Sequence, residues 1–246
     1  MKKRRLFSLF LSFALLLPLF SLTSADAYED FTLDAKAGLL IEADTGEILY
    51  EKNAHQENYP ASLTKVMVAL LVFEAIDEGK IALTDSVTAP ESAFEGLSSD
   101  GSTANIVPGE TMTVEQLLNC MLIVSANEAC NILGETLYGS AFVARMNERA
   151  AELGCEHTHF ANATGLHNSQ HYTTAWDLYL ITREALKHDK FMEICNSKSY
   201  TVPATNMTDK PRELHSTNFL ISNWRARGYV YRDAQGIKTG STPEAG

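Results

Sequence analysis

The chain has 246 residues, 45% hydrophobic and 21% charged, a composition that suits one large globular domain or two small ones and excludes a disordered tail or a fibre. Its 31 acidic residues outnumber 20 basic ones, for a formal charge of −11, which disfavours an extended nucleic-acid surface. Bulk acidity fits a soluble protein working outside the cell and specifies no partner.

Lys2, Lys3, Arg4 and Arg5 precede an apolar run from Leu6 to Leu22, and Ala25-Asp26-Ala27 follows in the form that signal peptidase reads. This is the three-part layout of a secretory signal. The run is short for a spanning helix, which needs about 20 apolar residues, and Pro18 interrupts it. The expectation is a signal peptide over residues 1–27, cleaved after Ala27, and an exported soluble domain over 28–246. The four cysteines, Cys120, Cys130, Cys155 and Cys195, are widely spaced in largely apolar text and read as free thiols. Cys155, His157 and His159 sit too close together and lack a distant second pair of ligands, so no metal is expected. His167 and His171, four apart in loop-like text, read as structural.

Ala37–Ala43 and Glu47–Lys52 read as two strands joined by a tight turn at Asp44-Thr45-Gly46. Ser62–Glu78 is apolar on most faces and predicts a buried helix ended by Gly79. Thr84–Glu110 is turn-rich. Thr113-Val114-Glu115-Gln116 is a capping box that opens a helix to about Val124. Further helices are expected from Asn127 to Gly139, from Ser140 to Leu153, and from a second capping box, Thr174-Ala175-Trp176-Asp177, to about Lys187. Tyr200–Thr205 and Gly228–Lys238 look extended. Strands, a helical middle and strands again suggest an α/β sandwich whose terminal strands share one sheet under the helices.

Three short motifs carry chemistry. In Ser62-Leu63-Thr64-Lys65, residues three apart on a helix bring their Cβ atoms within about 5–6 Å, so the lysine amine can reach the serine hydroxyl. Lysine can activate that hydroxyl only if burial or a neighbouring cation lowers its pKa. The helix N-terminus also suits a developing oxyanion. An N-capping serine followed by an ordinary lysine would look the same. Ser125-Ala126-Asn127 lies at the break between two apolar helices, where a hydroxyl and an amide can face one cleft, or merely cap a helix. The same pattern recurs at Ser216-Thr217-Asn218. Lys238-Thr239-Gly240, followed by Ser241, offers a cation and a hydroxyl for a carboxylate, with Gly240 leaving room for a ligand.

In that order the three motifs are those shared by class A β-lactamases and penicillin-binding proteins. From about Phe31 onward the sequence resembles the low-molecular-mass penicillin-binding proteins, specifically the serine D-alanyl-D-alanine carboxypeptidases of peptidase family S11. The likeness includes Pro60-Ala61-Ser62-Leu63-Thr64-Lys65, the run Ser125 to Cys130, Thr158-His159-Phe160, Gly165-Leu166 and Gly236 to Gly246. The resemblance implies an α/β fold, a β-lactamase/transpeptidase-like sandwich with an antiparallel sheet covered by helices. It implies that Ser62 attacks the penultimate D-Ala carbonyl of a peptidoglycan stem peptide, with Lys65 as base and Ser125 as proton relay. Asn127 would orient Lys65 and the substrate amide. Lys238 and Thr239 would bind the terminal carboxylate, and Lys238 would help keep Lys65 neutral. Gly240 belongs to the same substrate-binding segment, and the backbone N–H groups of Ser62 and Ser241 would form the oxyanion hole. Arg212 is a further candidate for the carboxylate. No cofactor and no nucleic acid are implied; β-lactams should acylate Ser62.

A β-lactamase, a D,D-endopeptidase and a non-catalytic wall-binding or sensor domain are the rival readings. Class A lactamases carry E-x-x-L-N after S-x-N; here Glu115-Gln116-Leu117-Leu118-Asn119 has that form but precedes Ser125 inside a capping box, and reads as coincidence. Family members continue beyond K-T-G with two more strands and a helix, and many add a β domain and a membrane-binding tail. The expectation is therefore a fragment with its C-terminal strands missing, unstable and unlabelled by penicillin, with any membrane attachment through a tail outside this chain.

Overall fold

The computed structural model describes residues 32–99 and 101–245. The signal over residues 1–27 lies outside them. Contacts divide the chain into Met1–Ala35, of which only 32–35 are described, and the compact body Lys36–Gly246. Among the described residues no helix is long and apolar enough to cross a membrane.

The body begins with an antiparallel ribbon, β1 (Gly38–Ile41) and β2 (Ile48–Lys52). Its turn is held by Glu42, whose carboxylate accepts from the Thr45 N–H at 2.6 Å. A 3-10 turn, Ala61–Thr64, runs straight into α1, Lys65–Asp77. The apolar text on every face has its expected consequence. Residues 65–73 and Ala75 are all buried, so α1 is the axis of the core. It packs against α3 (Asn127–Tyr138), α4 (Phe142–Glu152) and α5 (Ala175–Ala185). Between α1 and α3 in sequence lies α2 (Val114–Ile123), opened by the expected capping box: Thr113 accepts from Gln116 N–H and Gln116 accepts from Thr113 N–H. At α5 the box is half made. Thr174 accepts from Asp177 N–H at 3.0 Å, but the Asp177 carboxylate instead accepts from His157 N–H and the Thr158 hydroxyl.

The turn-rich segment contains a second ribbon, β3 (Ser86–Thr88) with β4 (Thr111–Thr113), and α6 (Asp189–Cys195) follows α5. Neither was anticipated, because a three-residue strand and a two-turn helix carry too little periodicity to read. The expected sharing of one sheet by the terminal strands is not observed. β5 (Ser199–Val202) pairs locally with β6 (Arg212–His215), so among the described residues three separate two-stranded ribbons form. Residues 228–238 form no strand. Gly236 shows why: its N–H is taken by Asn196 Oδ1 at 2.6 Å and its carbonyl by Asn218 Nδ2 at 2.5 Å, so side chains occupy the groups a ladder would need. All four cysteines are buried and unpaired with one another.

Close packing sets a test within α3. A Cβ on Gly134 would lie 2.4 Å from the Phe142 ring. Gly134→Ala gains about 1 kcal/mol of helix propensity but overpacks by about 1–3 kcal/mol, here at the upper end. A net loss of about 1–2 kcal/mol is expected in urea denaturation; a gain would show that the ring moves freely.

Candidate active site

The 3-10 turn before α1 places Ser62 and Lys65 on one side of the chain. Lys65 Nζ lies 3.1 Å from Ser62 Oγ, 2.8 Å from Asn127 Oδ1 and 2.5 Å from the carbonyl of Thr164. The lysine is fully buried, and its partners are all neutral. Burial lowers its pKa to about 8, against the raising influence of Cys130 and Glu128. At that value roughly a tenth of the lysine is uncharged at pH 7. A neutral amine has two N–H donors and one lone pair. Asn127 Oδ1 and the Thr164 carbonyl can only accept, so they take both donors and the lone pair is left facing the Ser62 hydroxyl.

Each partner is fixed by its own sequence. Asn162 Oδ1 accepts from the N–H groups of Thr164 and Gly165 and from the Thr164 hydroxyl, tying residues 162–166 into a turn that aims the Thr164 carbonyl at Lys65. Asn127 begins α3, and its N–H donates to the Ser102 carbonyl. Next to it, the buried Glu128 accepts from Thr103 Oγ1 and Ala104 N–H, each at 2.7 Å, pinning the loop that walls the site. That loop, with Asn127 and Glu128, lines a cavity of about 310 Å³. Ser125 has φ +66, and its hydroxyl is the buried side-chain polar atom without a partner among the described residues. A polar group held in a sparsely populated conformation and left unsatisfied is a place where a ligand is expected to bond.

Lys238, Thr239 and Gly240 reach the same place by a different route from the one expected. They lie on irregular chain, not on a strand. The approach is set by Gly240, where a Cβ would lie 2.9 Å from the Pro60 carbonyl and 3.2 Å from Leu63 N. K-T-G therefore presses its backbone against the turn carrying Ser62, with the exposed Ser241 next in line. Lys238 is half-buried and donates to the Thr239 carbonyl at 2.8 Å. Burial, and then the charge of Lys65, lower its pKa to about 7. For Lys65 burial is the cause that lowers the pKa, and the charge of Lys238, expected to help keep it neutral, is not among the causes of its shift. The Thr239 hydroxyl meets Thr217 Oγ1 at 2.7 Å. The second S-x-N stretch thus has a use: Thr217 and Asn218 brace the K-T-G segment.

Arg212, a candidate for the carboxylate, is engaged elsewhere in this structure. Its guanidinium bonds Glu110 at 2.7 Å in a largely buried pair, and Glu110 also accepts from Thr205. Glu115, the first residue of the E-x-x-L-N look-alike, pairs with Lys190 at 2.6 Å. Sequence reasoning missed Asn162, Thr164 and Thr217. The signal for the first two was the Asn three residues before Gly165, an Asx-turn pattern; for Thr217 nothing local marks it.

Gly165 has φ +86, and a Cβ there would fall 1.9 Å from the Ala61 carbonyl oxygen. Gly154 has a similar φ of +82 with nothing within 4 Å. Gly154→Ala should therefore cost about 1–2 kcal/mol, the left-handed penalty alone. Gly165→Ala should cost at least about twice that, or abolish soluble protein, because the backbone must separate. Equal thermal shifts would contradict the close approach.

Residues 23–246 match the peptidase S11 family, described as D-alanyl-D-alanine carboxypeptidase. The D-alanyl-D-alanine carboxypeptidase DacF of Bacillus subtilis (strain 168) is 40% identical over 214 residues, covering 86% of this chain and 52% of that protein. The crystal structure of the Streptomyces K15 DD-transpeptidase superposes with a TM-score of 0.77 at 29% identity, over 88% of this chain and 84% of that one. A peptidoglycan synthesis regulatory factor (PBP3) from Streptococcus pneumoniae gives 0.78 at 30% identity, over 88% and 60%. The fold is that of these DD-transpeptidase and penicillin-binding-protein structures. The chain spans about half the length of the first curated relatives it matches. With the match covering nearly all of the chain, this protein belongs to the D-alanyl-D-alanine carboxypeptidase family, peptidase S11.

Proposed function

We propose that the protein is a serine D,D-carboxypeptidase acting on peptidoglycan stem peptides that end in D-Ala-D-Ala. The observation that carries the reading is the placement of Lys65 Nζ, 3.1 Å from Ser62 Oγ and bonded to two groups that can only accept, an arrangement that in the neutral amine leaves the lone pair for Ser62. As Ser62 Oγ bonds to the penultimate carbonyl carbon, the Ser62 proton passes to Lys65 Nζ. The oxyanion is stabilised by the backbone N–H groups of Ser62 and Ser241. The C–N bond then breaks, and the proton reaches the departing amine through Ser125, whose orphaned hydroxyl gains partners in the substrate complex. Terminal D-Ala leaves, and water attacks the ester carbonyl while Lys65 takes its proton; the bond to Ser62 Oγ then breaks, and Lys65 returns the proton to that oxygen. Lys238 and Thr239 hold the terminal carboxylate, and a bound anion draws Lys238 back to its charged form. Asn127 orients Lys65 and the substrate amide, and Gly240 lets the peptide lie close. No step calls for a metal or cofactor. A β-lactam follows the first half of the same path and leaves Ser62 acylated.

The basic, apolar and small-residue run of residues 1–27 supports export, with 28–246 as the catalytic domain, placing the reaction at the cell wall or on the outer face of the cytoplasmic membrane.

Intact-mass analysis of the full gene product after benzylpenicillin should give a single penicilloyl adduct on the wild type and none on Ser62→Ala; an adduct on both, or at another residue, contradicts the reading. Asn127→Asp keeps an acceptor for Lys65 but adds a carboxylate 2.8 Å from its amine in the present geometry. An opposite charge that close raises a lysine pKa by about 1–3, so acylation at pH 7 should fall about tenfold or more and recover as pH rises past 9. The sign follows from Lys65 acting uncharged: whatever raises its pKa moves the working limb to higher pH. A loss that does not recover with pH would contradict this.

A further inference from the structure

The nucleophilic turn contains a strained residue that the reaction does not itself explain. Ala61, immediately before Ser62, has φ +48, a left-handed conformation that alanine rarely adopts. Its carbonyl accepts from the Thr64 hydroxyl at 2.8 Å. Thr64 is completely buried between Ser62 and Lys65 in sequence, and its oxygen also lies 2.7 Å from His171 Nε2. The hydroxyl has one proton and gives it to the Ala61 carbonyl, which can only accept. His171 Nε2 must therefore carry the proton in the second bond. On the other side of the ring, His171 Nδ1 lies 3.1 Å from the Ala161 N–H, which can only donate, so Nδ1 must be bare. Two independent constraints select the same neutral tautomer. The ring is buried and meets Phe160 edge-on, with centroids 5.7 Å apart.

We propose that His171 positions the nucleophile, its Nε2–H fixing Thr64, and through Thr64 the strained Ala61 carbonyl and the direction of Ser62 Oγ. His171 touches neither Ser62 nor Lys65, so it is a positioning residue and not a catalytic one. Desolvation, with the charges of His159, Lys65 and His167, lowers its pKa to about 4 and keeps the required tautomer over the physiological range. The role rests on the acyl-enzyme reading of Ser62.

Unequal isosteres test it. The amide of Gln reaches the place of Nε2, and that of Asn the place of Nδ1. His171→Gln retains a donor for Thr64 and loses the acceptor for Ala161; His171→Asn does the reverse. Stopped-flow acylation by a fluorescent penicillin should show His171→Asn slowed about 10- to 100-fold in the bond-forming step with little change in the preceding reversible binding constant. Gln should restore the rate to within about threefold of wild type. Thr64→Val should match the Asn variant, Thr64→Ser should not, and the Asn/Val double variant should be no slower than the worse single. Should His171→Asn fail to fold, the Val and Ser variants at position 64 carry the same comparison. Equal effects of Asn and Gln, a loss confined to binding, or additive losses in the double variant would overturn the proposal. A wild type that forms no adduct removes the proposed function and this role with it; a wild type that does, with variants ranked otherwise, removes only this role.

Discussion

Burying a lysine amine among neutral acceptors is the constraint on which the site depends. A charged ammonium at Lys65 would lose its hydration with no carboxylate bonded to it in return, so burial brings the neutral amine within reach near neutral pH, where an exposed lysine would hardly populate it. The same burial that depresses the pKa also leaves only one direction for the lone pair. Proton affinity and orientation thus come from one structural fact: an apolar helix begun at Lys65 and enclosed on all sides. Glu128, the nearby carboxylate that opposes the shift, bonds the wall loop at Thr103 and Ala104.

The backbone around the site is held in conformations that would relax without their neighbours. Of the four non-glycine residues with positive φ among those described, Ala61 precedes the nucleophile and Ser125 carries the unsatisfied hydroxyl. Gly165 and Gly240 approach the Ser62 turn more closely than any side chain would allow. The turn is therefore clamped by backbone, which fixes geometry without placing a mobile group near the reacting atoms.

Much of this was legible in sequence because it is local. The unbroken apolar run of α1, the Thr113 capping box, the lengths of α3 and α4 and the three-residue offset of Ser62 and Lys65 all depend on neighbours within a few positions. Arg212 could not be placed that way: whether a guanidinium meets a substrate or Glu110 is decided by chain a hundred positions away. Thr164, Thr217 and His171 escaped for the same reason, since each acts on the site through a long-range bond. The extended reading of 228–238 failed where asparagine side chains replaced a strand partner, which residue type alone does not announce.

The most direct measurement of the central claim is the protonation of Lys65 itself. In protein labelled with 13C at the lysine ε-carbons, with Lys65→Arg and Lys238→Arg variants assigning the two buried signals, the Lys65 resonance should titrate with a midpoint near 8. A midpoint above 10, the range of an exposed lysine, would leave less than about a thousandth of the amine uncharged at pH 7, and the account of Ser62 activation would be wrong.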